Sequence, residues 1–137
     1  MNITIKNLTK KIKKETVLKD INLEFYGGKI YGLQGKNGCG KTMLMRCIAG
    51  LVHPEQGEII INGKVLHKDM SLPESIGLLI ENPAFLPQYT GLQNLKILAD
   101  LQGGISYGEL EELLEKVGLK DCTKKKFGAY SLGMKQR

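Results

Sequence analysis

The 137-residue sequence has no apolar run approaching the roughly 18 residues of a membrane span. Its opening, Met1-Asn2-Ile3-Thr4-Ile5-Lys6, alternates like a strand and lacks the apolar block of a secretory signal. Cysteine is scarce. Cys39, Cys47 and Cys122 show no metal-ligand spacing and cannot all pair, which favours a reducing cytosol. No internal repeat or low-complexity segment occurs. Aromatic residues make up only 6%, and none interleaves the lysine clusters at Lys10, Lys11, Lys13 and Lys14 or at Lys124 to Lys126. The net charge of +6 is read first as solvated loops, with an anionic membrane surface or nucleic acid as alternatives. Without aromatics to stack on bases, no nucleic-acid partner is expected. What remains, 42% hydrophobic and 25% charged residues, is the balance of a soluble globular domain or a piece of a larger one.

One stretch organises the rest. Gly35-Lys36-Asn37-Gly38-Cys39-Gly40-Lys41-Thr42 fits the phosphate-binding pattern G-x-x-x-x-G-K-[ST], with an additional glycine at Gly38. The residue types are those a triphosphate requires. Glycines let successive backbone N–H groups turn inward without a Cβ clash, forming a nest for anionic oxygens. Lys41 can place an ammonium on the β- and γ-phosphates, and the Thr42 hydroxyl can ligate Mg²⁺. A helix opening at Lys41 adds unpaired N–H groups and the positive end of its dipole. Lys29-Ile30-Tyr31-Gly32-Leu33-Gln34 is expected to be a short buried strand entering the loop, with Tyr31 in the core. Behind the loop, Leu44, Cys47, Ile48 and Leu51 follow helical spacing, with Gly50 and Pro54 ending the helix.

Around this centre, residues 2–8 and 17–26 alternate as strands, joined by a lysine-rich hairpin-like link. Residues 57–66 suggest a second hairpin turned at Asn62-Gly63. The run Ile76-Gly77-Leu78-Leu79-Ile80 has the continuous apolar character of a buried parallel strand, ending at Glu81-Asn82-Pro83. Thr90 with Gln93, and Ser106 with Glu109, are capping boxes that open two helices. The first runs through Leu95, Leu98 and Ala99. The second runs through Leu110, Leu113, Leu114 and Val117 and stops at Gly118. Asp100 is expected on the surface of the first.

In this order, the sequence resembles the nucleotide-binding domain of ABC transporters. Tyr130-Ser131-Leu132-Gly133-Met134-Lys135-Gln136-Arg137 stands where that family carries its signature motif. Its separation from Lys41 suits a transporter ATPase, whereas the related DNA-repair ATPases carry long insertions there. The resemblance implies that Ser131, Gly133 and Met134 begin a helix whose N-terminus faces the nucleotide held by the opposite protomer. It implies Glu81 as a Mg²⁺ ligand and catalytic candidate beside Lys41, at a position where most members have glutamine. Glu81-Asn82-Pro83-Ala84-Phe85 and the Ser-Leu-Gly signature resemble the bacitracin and lantibiotic resistance branch. Leu132 replaces the usual glycine, and Ile12 stands where the family stacks adenine on an aromatic residue.

The implied fold class is α/β, a P-loop NTPase of the ABC ATPase type with an antiparallel β layer and a helical subdomain. Residues 1–90 would form the β layer and P-loop core, and residues 91–137 the helical subdomain. The core sheet is expected to be incomplete in this chain. The family's Asp-Glu carboxylate strand and switch histidine should follow the signature, and none of the last residues supplies either. His53 and His67 precede the signature and cannot be the switch residue. The resemblance therefore implies an ATP-binding subunit, with ATP and Mg²⁺ as cofactors, coupled to export of a peptide-like or antibiotic substrate. Its partners would be a membrane-spanning permease and a second nucleotide-binding domain, in a homodimer peripheral to the cytoplasmic face of the membrane. A non-transporting ABC protein acting on ribosomes or nucleic acid, and a nucleotide-binding module without turnover, stay open as alternatives.

Overall fold

The computed structural model describes residues 1–80 and 85–137, with the backbone alone at Gln102. The chain divides into two units, Met1–Ile80 and Glu81–Arg137.

The first unit is built on a four-stranded antiparallel sheet of order β2-β1-β3-β4. The strands are β1 (Asn2–Ile12), β2 (Glu15–Tyr26), β3 (Gln56–Ile61) and β4 (Lys64–Val65). Strand β1 is central, so Ile5 lies opposite Leu23 on one side and Ile59 on the other. Period-2 alternation puts Ile3 and Ile5 towards the core, then breaks. A register shift between Ile5 and Leu8 returns Leu8 to the buried face. Asn7 and Asp20 take left-handed backbone at this irregularity, and Asn22 Oδ1 accepts from the Asn7 N–H at 2.8 Å. Helix α1 (Lys41–Ile48) contributes Leu44 and Cys47 to the core with Ile5, Leu8, Leu18, Ile59, Ile61 and Leu66. Each such side chain, removed from water, contributes about 1.5–3 kcal/mol. The Asn62-Gly63 turn between β3 and β4 is left-handed at both residues, as a tight hairpin requires.

The second unit is helical: α2 (Gly91–Gln102), α3 (Tyr107–Lys116) and α4 (Leu132–Gln136), with short 3₁₀ turns at Lys120–Cys122 and Phe127–Ala129. Both expected capping boxes form. Thr90 Oγ1 accepts from Gln93 N at 3.2 Å while Gln93 Oε1 accepts from Thr90 N at 2.9 Å. Ser106 and Glu109 make the same exchange at 3.3 and 2.8 Å. Leu92, Ala99, Leu110, Leu114, Leu119, Phe127 and Tyr130 form the core of this unit. Asp100 is exposed, as expected.

Several expectations need correction. Residues 29–34 and 76–80 form no strand; Ile30 is fully exposed, and Leu33, Ile76, Leu78 and Leu79 are also exposed. A parallel strand is stabilised by neighbours on its edges and layers on its faces. Among the described residues neither segment is paired with a strand; the sheet consists of the four antiparallel strands alone. Tyr31 is not a core residue. It is 42% exposed, lies edge-on to Phe25, and its hydroxyl accepts from Tyr26 N at 2.9 Å. Leu51 falls beyond the end of α1 and is exposed, and Leu98, Leu113 and Val117 are also exposed. Hence α2 and α3 each bury a narrower stripe than their periodicity suggested.

Candidate nucleotide site

The glycine loop leads directly into α1, and two of its glycines are dictated by backbone and space. Gly38 has φ of 80° with nothing near its Cβ position. Gly40, which caps α1, has φ of 95°, and a Cβ there would lie 2.8 Å from both Val17 O and Leu18 Cδ2. The loop therefore passes so close to β2 that only glycine fits. A Cβ on Gly35 would similarly lie 2.5 Å from Cys39 Sγ.

Lys41 turns back into the loop that precedes it. Its ammonium donates to Gly35 O at 2.7 Å and Lys36 O at 2.8 Å, with Cys39 Sγ at 3.7 Å. Cys39 N donates to Lys36 O at 3.3 Å, closing the turn. No side chain caps α1, and no acidic residue lies in its first turn. Its leading N–H groups and dipole are thus left for an anion. Thr42 is half-buried one position further, and its hydroxyl has no partner among the described residues. Lys36, Asn37 and Cys39 are exposed around the same turn. An open hollow of about 400 Å³ lies between Gln34, Cys39 and Lys41 on the loop side and Leu18 and Asp20 on β2.

Ile12 is the last residue of β1, paired with Glu15 across the hairpin and 44% exposed. Lys13 follows with left-handed backbone. Glu81 lies outside the described residues, as do Asn82, Pro83 and Ala84. Among the described residues, no group of three or more His, Cys, Asp or Glu side chains could hold a metal ion. The free Thr42 hydroxyl fits Mg²⁺ as one hard oxygen donor, so the cation would depend mainly on nucleotide oxygens and water.

The second unit presents the signature segment. Ser131 is the N-cap of α4, and its Oγ accepts from Met134 N at 3.3 Å, leaving the hydroxyl proton available to an acceptor. Gly133 has open space about its Cβ position, and Leu132 is 74% exposed. Tyr130 anchors the segment. It is buried against Phe127, its hydroxyl donates to Cys122 O at 3.2 Å, and a Cβ on Gly91 would lie 2.5 Å from that oxygen. Burial holds its phenol above the usual value. Nearby, buried Asn94 ties down the turn before α2. Its amide donates to Leu86 O at 3.1 Å and Thr90 O at 3.0 Å, and Oδ1 accepts from Leu86 N at 2.8 Å. Sequence reasoning missed both supports. An aromatic just before an N-cap was the only available hint for Tyr130, and Asn94 gave none.

A family model described as ABC transporter matches residues 18–137, spanning both the loop and the signature segment. The chain belongs to the ABC transporter family. It is 50% identical over 135 residues to the uncharacterised ABC transporter ATP-binding protein YybJ of Bacillus subtilis (strain 168), covering 98% of this chain and 62% of the relative. It is 44% identical to the bacitracin transport ATP-binding protein BcrA of Enterococcus faecalis, covering 98% of this chain and 44% of that protein. Against the lantibiotic transport ATP-binding protein SrtF of Streptococcus pyogenes the figures are 36%, 98% and 58%. This ABC chain thus spans between 44% and 62% of the length of these relatives. Among solved structures, the ADP- and Pi-bound dimer of the ATP-binding cassette MJ0796 matches with a TM-score of 0.83 at 26% identity, over 98% of this chain and 65% of that one. The fold is that of the ABC ATPase, of which this chain provides part. Among the described residues, no helix is long and apolar enough to cross a membrane.

Proposed function

We propose that this chain is the N-terminal part of the ATP-binding subunit of an ABC exporter for a peptide-like or antibiotic substrate. In this reading, residues 1–90 are its β layer and P-loop core, and residues 91–137 its helical subdomain. The observation that carries it is the loop at Gly35 to Thr42, where an exposed ammonium, glycine backbone and an uncapped helix start converge on one hollow. A triphosphate entering the loop would exchange Lys41's bonds to two neutral carbonyls for bonds to anionic phosphate oxygens, in which both partners carry charge. The N–H groups of Gly38, Gly40, Lys41 and Thr42 would supply the remaining donors. Thr42 would hold Mg²⁺, with Glu81 as the second protein ligand; the cation would neutralise phosphate charge. Ile12 would pack against the adenine. The names of the bacitracin and lantibiotic transport relatives support the substrate class.

Ser131, Gly133 and Met134 would contact the nucleotide held by a second protomer, with a membrane-spanning permease as the other partner. The subunit would then sit on the cytoplasmic face of the membrane. Turnover needs a carboxylate to hold Mg²⁺ through water and another group to orient the attacking water. Among residues 132–137 there is no Asp or Glu. Glu81 can fill only one of these positions, so the 137-residue chain binds nucleotide without hydrolysing it.

Calorimetric titration with Mg-ATP tests the site. Lys41→Ala should weaken binding at least tenfold while leaving the circular dichroism spectrum unchanged. Unaltered affinity in a folded variant would refute the phosphate assignment. Robust Mg-dependent hydrolysis by the 137-residue chain, abolished by Lys41→Ala, would refute the absence of turnover.

A further inference from the structure

Away from the nucleotide loop, two histidines meet face to face. His53 lies on the segment leaving α1, and His67 follows β4; their ring centroids are 3.5 Å apart with planes 24° from parallel. His67 is held in place by its backbone. Its φ is 67°, and its N–H donates to Met70 O at 2.6 Å. Its Nε2 is shut off from water and has no hydrogen-bond partner among the described residues. On the other side, Lys10 of β1 donates to His53 O at 2.8 Å and to Glu55 Oε1 at 2.7 Å, while Glu55 Oε2 accepts from Lys11 N at 2.6 Å. The segment is therefore clamped between a charged group on β1 and an imidazole stack on the β3–β4 hairpin.

We propose that the stacked His53–His67 pair is an acid-opened clasp: the stack ties the segment leaving α1 to the β3–β4 hairpin, and a proton on His67 releases it. A proton at the sealed Nε2 creates a cation shut off from water and, among the described residues, without a hydrogen-bond partner at that atom; the Val52 backbone favours the charged ring but is outweighed by burial, so the cation is costly until the ring swings out. Lys10 lies on the β1 side, and His53 and Glu55 on the exit segment. Glu58 on β3 lines a hollow of about 200 Å³ with both histidines and is paired with Lys6 at 3.8 Å. Lys68 lines it too, and Asp69 Oδ2 is occupied by Val65 N at 2.7 Å. Glu55 is already committed to Lys10 and Lys11 and is not available to receive the new N–H. Burial first, and His53 second, hold the His67 imidazole below its ordinary value. The neutral, closed form is therefore stable above that ordinary value. Its stability is lost as pH falls through the lowered one, because the opened form binds the extra proton.

The test is hydrogen exchange by NMR on the 137-residue chain, with imidazole titration, between about pH 7.5 and about pH 5.5. Protection factors at residues 50–55 and 66–70 should fall by roughly an order of magnitude, while the β1–β2 ladder keeps its protection. The fall should track the His67 ring shifts. His67→Phe keeps an aromatic face on His53 but cannot take the proton, so its protection should persist at the acid end. Equal protection at both pH values, an equal loss in His67→Phe, or a loss that does not follow the His67 shifts would each overturn the clasp.

Discussion

Gly40 is the position where fold and candidate site impose on each other most directly, and Gly40→Ala separates two costs. The first is conformational: left-handed backbone costs a residue with a Cβ about 1–2 kcal/mol. Gly38→Ala pays this cost alone, since its φ is 80° and nothing lies near the added methyl group. At Gly40 the methyl group would lie 2.8 Å from Val17 O and from Leu18 Cδ2. The leucine terminus can rotate away, but the carbonyl belongs to β2 and is held by the sheet. Forcing an atom into such a space costs typically a further 1–3 kcal/mol or so. Gly40→Ala should therefore lose about 2–5 kcal/mol against about 1–2 kcal/mol for Gly38→Ala. At about 4 °C per kcal/mol for a chain of this size, the two melting temperatures should differ by roughly 4–12 °C. Thermal melts followed by circular dichroism measure the gap, and Mg-ATP titration of the folded fraction should show weaker binding for Gly40→Ala. Equal melting temperatures for the two alanine variants would refute the close approach of loop and strand.

Three other outcomes are expected. Ile12→Tyr should tighten Mg-ATP binding about tenfold in calorimetry, since base–aromatic stacking is worth about 1–3 kcal/mol; unchanged affinity would place the base elsewhere. Exposed Cys39 should react with a maleimide faster than buried Cys47, whose thiol is pushed up by burial, and saturating Mg-ATP should slow Cys39 alone. Labelling of Cys39 that ignores nucleotide would contradict the site. In the second unit, Ser106 hydrogen bonds, side chain first and backbone second, hold the Glu109 carboxyl below its usual range. Its stabilisation is thus full at neutral pH and is lost as pH falls through that lowered value, so Ser106→Ala should flatten the acid side of the stability curve and cost about 1 kcal/mol at neutral pH. An unchanged acid limb would remove the capping box from the stability account.

Local chemistry made much of this protein legible in one dimension. Ser106 and Thr90 start helices because their side-chain oxygens cap N–H groups three residues on, and nothing distant is needed for that. Asn62-Gly63 turns a hairpin because both residues tolerate left-handed backbone. The glycine loop is legible because its whole pattern, glycines and one lysine, lies within eight consecutive residues. Pairing is different, because a strand exists only with a neighbour. Residues 29–34 and 76–80 carry strand-like apolar runs, yet the antiparallel sheet takes its partners elsewhere and leaves both runs exposed. Tertiary contacts also decided that Leu8 rather than Asn7 faces the core, through a bulge that period-2 counting cannot foresee. They placed Val17 against Gly40, the Tyr130 hydroxyl against Gly91 and His67 on His53. The sequence by itself determined the turns, the caps and the glycine loop, where the cause lies within a few residues. Only the tertiary structure decided which apolar residues find cover and which glycine is pressed against a strand, because those depend on groups brought together from distant parts of the chain.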